Sequence, residues 1–304
     1  MIRPALDRHT LKALSAKTPW PWLADAALDW AVIAAALAAA TLSGHPLAFA
    51  AAWFVVGNRQ HALAILGHDG THYTLLRTRW ANDALTTLLA LGPLGLTASG
   101  YRNVHFRHHK HTNTADDPEL AHRRLKAPQW DLPATPRTVL GYAARDLVGY
   151  AIPDYLLFLR FAVPDHRLAR PALALCHGAF VALAAAAGRI DVAVLWYAAL
   201  LTTFMMQFRL RTWLEHQGSD STHRLHLTPL ERLLLSPHNA WYHYEHHAWP
   251  TVPYHRLPQL RAMTPGEPVM TLTELIGRYR LAAAIPSGTP LRAAANGEDS
   301  AHVV

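Results

Sequence analysis

The stretch NDALTTLLALGPLGLTAS, residues 82–99, decides the fold. It is apolar enough to read as a membrane span, and it separates His68-Asp-Gly-Thr-His72 from His105-Phe-Arg-His108-His109. A full crossing would put these two histidine clusters on opposite membrane faces, where they could not share a metal centre. Gly92-Pro93 in its middle and Gly95 nearby interrupt a straight helix, because proline removes a backbone donor and clashes with the preceding turn. We therefore expect an interfacial or re-entrant segment that returns to the face it left. Hydropathy alone would not require this; the histidines do.

A third cluster, His243-Tyr-Glu-His246-His247, follows much later. Residues three and four apart share a helix face, so each cluster aims its imidazoles in one direction. A lone histidine in an apolar stretch is ordinarily a hydrogen-bonded core residue, but three clusters at helical spacing read as metal ligands. Two rings from the first cluster and three from each of the others are twice what one tetrahedral zinc accepts. The number suits two metals, each holding about four histidines with positions left open for chemistry.

Composition agrees with a membrane setting. Hydrophobic residues are 51% of the 304 and charged residues only 16%. The formal charge of +7 accompanies no nucleic-acid-reading motif, so the basic excess is read as a cytoplasmic, membrane-facing surface. The single cysteine, Cys176, forms no internal disulfide, which fits a reducing compartment.

Residues 1–22 carry Arg3, Arg8, Lys12 and Lys17 and end in Pro19-Trp20-Pro21-Trp22, a basic segment with interfacial tryptophans rather than a removable signal peptide. Spans are expected at about 26–43, 47–67, 171–187 and 190–208, near the 20 residues or so that a crossing needs. The polar run Asn58-Arg59-Gln60-His61 in the second must face protein or a cavity. Residues 139–163, with Arg145, Asp146, Asp154 and Arg160, read as an amphipathic surface helix. The expected fold is thus an all-α integral membrane protein, with four transmembrane helices in two hairpins under a cytoplasmic helical cap carrying the histidines. Lysine and arginine concentrate on the side of the termini and clusters, while the two outer turns hold only Arg189. Residues 1–283 form one domain, and 284–304 are expected to be a disordered tail.

The order His-x-x-x-His, His-x-x-His-His, His-x-x-His-His between two apolar hairpins resembles the membrane fatty acid desaturase and hydroxylase superfamily, over roughly residues 45–262. The most specific part runs from Pro237-His238-Asn239 through Tyr242-His243 and His246-His247 to Pro250, Pro253-Tyr254 and Leu257-Pro258. Arg211-Thr-Trp213-Leu-Glu215-His216 resembles a motif of bacterial members. The resemblance implies a non-haem di-iron fatty acid desaturase, multi-pass in a bacterial inner membrane with a cytoplasmic site. It implies two iron ions held by His68, His72, His105, His108, His109, His243, His246 and His247, with His216 completing the set. Some relatives have asparagine where this chain has Thr212; Asn239 is an alternative polar partner.

Carboxylates that accept the other ring N–H would orient such ligands. Asp69, Asp116, Asp117, Glu215 and Glu245 are candidates by adjacency. A helix cap is the favoured reading of Asp117, which precedes Pro118, and ring orientation that of Glu215 and Glu245. His61 is expected to be hydrogen-bonded inside, His111 to lie at or near the surface, and His238 to be a neighbour of the ligands. The chain carries no haem-attachment, iron–sulfur or dinucleotide motif, so the electrons for acyl-chain desaturation must come from a ferredoxin or a small haem protein. A carotenoid ketolase or hydroxylase, or an enzyme of a small amino-acid-like substrate, is the alternative within oxidoreductases. A membrane metal transporter would place ligands at mid-bilayer, and a metal-dependent hydrolase would mix carboxylates with fewer histidines.

Overall fold

A computed structural model describes residues 6–281 except 127 and 267; the expected tail at 284–304 lies outside the described residues. The described chain is mostly helical. Its strands are a two-residue parallel ladder, β1 (Leu225–His226) beside β2 (Met270–Thr271).

Helix α1 (Arg8–Leu14), capped by the Asp7 carboxylate, precedes α2 (Pro19–Ser43). Gly44, at φ 62°, takes the left-handed conformation that ends α2, and α3 (Pro46–Thr71) packs along α2. Then come α4 (Arg79–Thr86), α5 (Ala98–His111), α6 (Pro118–Leu125), α7 (Pro136–Asp146), α8 (Ile152–Phe161), α9 (Ala169–Ala186), α10 (Ile190–Leu201) and α11 (Thr203–His216). The chain closes with α12 (Pro229–Leu235), α13 (His243–Ala248), α14 (Leu257–Met263) and α15 (Leu272–Leu281).

Among the described residues three stretches are long and apolar enough to cross a membrane: Arg8–Ser43, Ala169–Ala186 and Ile190–His216. Helix α9 has no fully buried residue, and apart from Leu173 and Phe180, which turn inward, most of its apolar side chains are exposed, as suits lipid surroundings. The expected span at 47–67 has the length but not the apolarity. Along the second half of α3 polar groups are buried against protein: Asn58 donates to the Gln207 side chain at 2.7 Å, Arg59 pairs with Asp29 of α2 at 3.0 Å, and Gln60 donates to the Trp196 carbonyl at 3.0 Å. Gly57 lets α3 and α11 meet, since a Cβ there would strike the Thr203 side chain and lie 2.9 Å from the Phe204 backbone nitrogen.

Other boundaries also differ from expectation. The run 190–208 is not one helix: it breaks at Thr202, whose hydroxyl accepts from the Trp53 indole at 2.8 Å, and α11 continues to His216. The surface helix expected over 139–163 is two, α7 and α8, because Gly149 at φ 87° turns the chain between them. Asp146 is drawn inward to pair with Arg209 of α11, both buried, with a second contact at 3.0 Å. Residues 82–99 break as the glycines and proline require. After α4 come a π turn (Thr87–Leu91), a 3-10 turn (Gly92–Leu94) and Gly95 at φ 75°. The Thr87 hydroxyl then accepts from the Ala98 amide at 3.0 Å, which starts α5 back towards the first histidine cluster.

Candidate metal centre

Four segments deliver histidines to one place: the end of α3, the last turns of α5, the end of α11 and the whole of α13. On α5 the i, i+3, i+4 spacing of His105, His108 and His109 puts the rings on one side. His72 follows the last turn of α3, where Tyr73 at φ 58° turns the chain away.

The rings form two adjoining groups. His68, His72, His105, His109 and His246 present nitrogens within 4.8 Å of one another, and so do His108, His216 and His247. His243 joins the second group through His216. Nε2 faces Nε2 at 3.0 Å for His72–His105, 2.8 Å for His105–His109, 3.1 Å for His109–His246, 3.2 Å for His108–His216 and 2.8 Å for His216–His243. Metal–nitrogen bonds of about 2.1 Å set at right angles place neighbouring donors about 3.0 Å apart. These separations therefore fit rings arranged around ions. The Nε2 atoms of His68 and His247 are buried with no hydrogen-bond partner among the described residues, as donors reserved for a metal would be.

In four of the rings the other nitrogen has a protein partner, whereas His105 Nδ1 is buried without a hydrogen bond among the described residues. Asp117 accepts from His108 Nδ1 at 3.0 and 3.1 Å, the Ser221 carbonyl from His216 Nδ1 at 2.8 Å, and the Thr112 hydroxyl lies 3.3 Å from His247 Nδ1. Glu215 Oε1 stands 3.3 Å from His243 Nδ1 and is held by Arg211 Nε at 2.6 Å. Each contact at Nδ1 leaves Nε2 as the lone-pair nitrogen turned inward. Burial, and then the neighbouring rings, hold His105, His243, His246 and His247 well below the ordinary histidine pKa, so all four are neutral near pH 7. His108 is the exception. Burial works against its charge, but the carboxylates of Glu119 and Asp117 outweigh it and raise its pKa.

Several residues singled out by adjacency point elsewhere. Asp69 accepts from the Thr74 hydroxyl at 2.7 Å and the Tyr254 amide at 2.9 Å, not from a ring. Glu245 is buried and paired with Arg224 at 2.6 Å and Arg261 at 2.8 Å. Asn239 donates to the Tyr254 carbonyl at 3.2 Å. His238 bonds Asp29 at 2.7 Å and is a neighbour of the ligands as expected, lining a small cavity with His68, His243 and His246, while Asp116 lies 4.0 Å from His111. His61 is fully buried, with neither ring nitrogen hydrogen-bonded among the described residues, against the expectation of an internal hydrogen bond. Asp117 does both of its proposed jobs, capping α6 through the Glu119 amide at 2.9 Å while holding His108. Ser221, Thr112 and Glu119, whose Oε2 lies 3.8 Å from His108 Nδ1, went unnoticed in the sequence. Only the Asp-Pro-Glu helix start near His108 hinted at any of them.

Replacing Asp117 with asparagine should leave α6 capped but remove the charge that polarises His108. We expect metal affinity to fall about 10–100-fold while the fold holds. Competitive chelation monitored by metal analysis measures this, and unchanged retention would refute the orienting role.

The fatty acid desaturase family model matches residues 44–270. Dihydrorhizobitoxine desaturase of Bradyrhizobium elkanii is 28% identical over 265 residues, covering 79% of this chain and 75% of that protein. The beta-carotene ketolase of Paracoccus sp. (strain N81106 / MBIC 01143) is 27% identical over 69% of this chain and 75% of its own length. A shorter match, 31% identical over 27% of this chain and 22% of the relative, is to the sn-1 acyl-lipid omega-3 desaturase (ferredoxin) of Nostoc sp. (strain 36). The family match takes in all four segments that bring the rings together, and the chain belongs to the fatty acid desaturase family.

Proposed function

We propose that this protein is an oxygen-dependent di-iron oxidoreductase that desaturates an acyl chain, drawing two electrons from a ferredoxin-like donor. The observation that carries the proposal is the pair of all-imidazole groups, with inward nitrogens spaced as neighbouring ligands. His68, His72, His105, His109 and His246 would hold one iron, and His108, His216, His243 and His247 the other. The irons, when bound, supply dioxygen activation strong enough to break an unactivated C–H bond. The chain supplies neutral ligands, the Nδ1 partners that fix their orientation, and a buried setting that keeps water from the reacting carbon. The balance is complete: forming a double bond takes two hydrogen atoms from the substrate. Two electrons from the donor and two protons from solvent finish the reduction of dioxygen to two waters.

An apolar groove of about 640 Å³ offers a surface for an acyl chain, although none of the nine histidines lines it. It lies between α2, the broken 82–99 segment, α9 and α10, and is lined by Trp30, Leu88, Pro93, Leu173, Phe180 and Trp196. We place four spans, α2, α3, α9 and α10 with α11, in two hairpins of a bacterial inner membrane, α3 crossing with its polar half packed on α2 and α11, with 82–99 and the α7–α8 pair interfacial or re-entrant and the histidines cytoplasmic. The lysine and arginine distribution supports this orientation. A second reading, oxidation of a carotenoid ring, is favoured by the extent of the ketolase match.

Product analysis of membranes from a host expressing the protein separates the readings, with His108→Ala as the inactive control. We expect oxygen-dependent loss of two hydrogens from an acyl chain and about two irons per chain. A new carotenoid carbonyl or hydroxyl in place of the double bond would shift the assignment to the second reading. Tightly held zinc with no oxygen-dependent product would exclude both.

A further inference from the structure

Of the nine converging histidines, His72 and His109 are only partly buried, and both belong to the five-histidine group. They mark the side on which the centre comes nearest the solvent. That side is formed by α5, whose residues Asn103, Phe106, Arg107 and Lys110 are all exposed and share one face by their i, i+3, i+4, i+7 spacing. Phe106 is the unusual member: it is 41% exposed, and its ring stacks on that of His72 with centroids 5.2 Å apart and planes 27° apart.

Cations flank both partners of this contact. Tyr73, next to His72, has the Arg102 guanidinium over its ring at 3.9 Å and that of Arg79 at 5.2 Å. Arg77 and Arg79 are exposed, and Lys17 joins them by donating to the Leu76 carbonyl at 3.2 Å. On the other side stand Arg107 and Lys110. The carboxylates nearby are engaged or peripheral: Asp83 pairs with Arg102, Asp165 accepts from Asn103 at 2.9 Å at one edge, and Asp116 lies beside His111 at the other.

We infer that an acidic one-electron carrier protein docks on the exposed α5 face around Phe106, through Arg107 and Lys110 on that face and the cations that follow His72 in the chain, and that electrons enter the metal centre through the Phe106–His72 contact. This rests on the redox reading above and adds where the donor binds. Electron tunnelling falls off steeply with distance, so a donor must approach the least buried ligands. An exposed aromatic centre with a charged rim is also the usual anatomy of a protein docking site. The sign of the rim selects an acidic partner and speeds its encounter. Each of two reduced carriers loses one electron per turnover, and these are the two electrons that the oxygen balance requires.

The test uses the full iron-loaded chain in neutral phosphatidylcholine nanodiscs, with an acidic plant-type [2Fe–2S] ferredoxin as probe. Binding is measured against salt for the wild type, the double variant Arg107→Glu/Lys110→Glu and the distant control Arg280→Glu. We expect the double variant to bind at least about tenfold more weakly with a flatter salt dependence, and the control to bind as the wild type does. Phe106→Ala should slow reduction of the iron by pre-reduced ferredoxin and leave reduction by dithionite unchanged. Wild-type affinity and ferredoxin-supported turnover in the double variant would overturn the docking site and leave the functional reading standing. So would a loss confined to association with anionic vesicles, which would make this face a lipid surface. A wild type that takes up no iron would overturn the functional reading and this inference together.

Discussion

Replacing His216 with alanine is expected to lower the iron content from about two per chain towards about one and to abolish turnover. His216 belongs to the smaller group, with His108, His243 and His247, and its Nε2 lies 3.2 Å from that of His108 and 2.8 Å from that of His243. Three rings would remain there, too few for tight retention, while the five-ring group keeps every donor. His72→Ala is the informative counterpart, because it leaves four rings in the larger group and should retain more metal. Metal analysis of the purified variants, beside product formation, decides the matter. Equal metal loss in the two variants would refute the division into five and four.

The second large effect is on stability. Glu245 is fully buried between two guanidiniums, Arg224 Nε at 2.6 Å and Arg261 Nε at 2.8 Å. Arg224 also donates to the Thr264 carbonyl at 2.8 Å, and Arg261 to that of Leu225 at 2.6 Å. The carboxylate therefore ties α13, with three of the rings, to α14 and β1. Glu245→Ala strands the buried Arg224 and the partly buried Arg261 and should cost about 3 kcal/mol. Thermal unfolding in detergent should show a large fall in Tm, smaller for Glu245→Gln, which keeps hydrogen-bonding capacity. An unaltered Tm would show that the arginines find other partners.

The contrast between Glu245 and Glu215 shows how far the sequence could be read. Each neighbours a clustered histidine, but consecutive helical residues point about 100° apart. Adjacency in sequence therefore says little about which ring a carboxylate meets. Glu215 reaches His243, a ring of a different motif, while Glu245 turns its back on the rings. The histidines themselves were legible because helical spacing within each cluster is a local property, and the break at Gly92-Pro93 because proline and glycine act locally. Ser221, Thr112 and the pairing of Asp117 with His108 depend on how separate segments pack, and no local pattern announces that. The same is true of the break at Thr202, where a tryptophan from α3 supplies the contact, and of His238, captured by Asp29 from α2.

The rings that meet in the centre are contributed by segments as far apart as His68 and His247, so the site cannot exist until more than half of the chain has assembled. Ions that bind only the assembled form stabilise it by mass action. On the di-iron reading proposed above, iron supply in the host would then act as proofreading for this protein, a cell short of the metal accumulating less of the mature form.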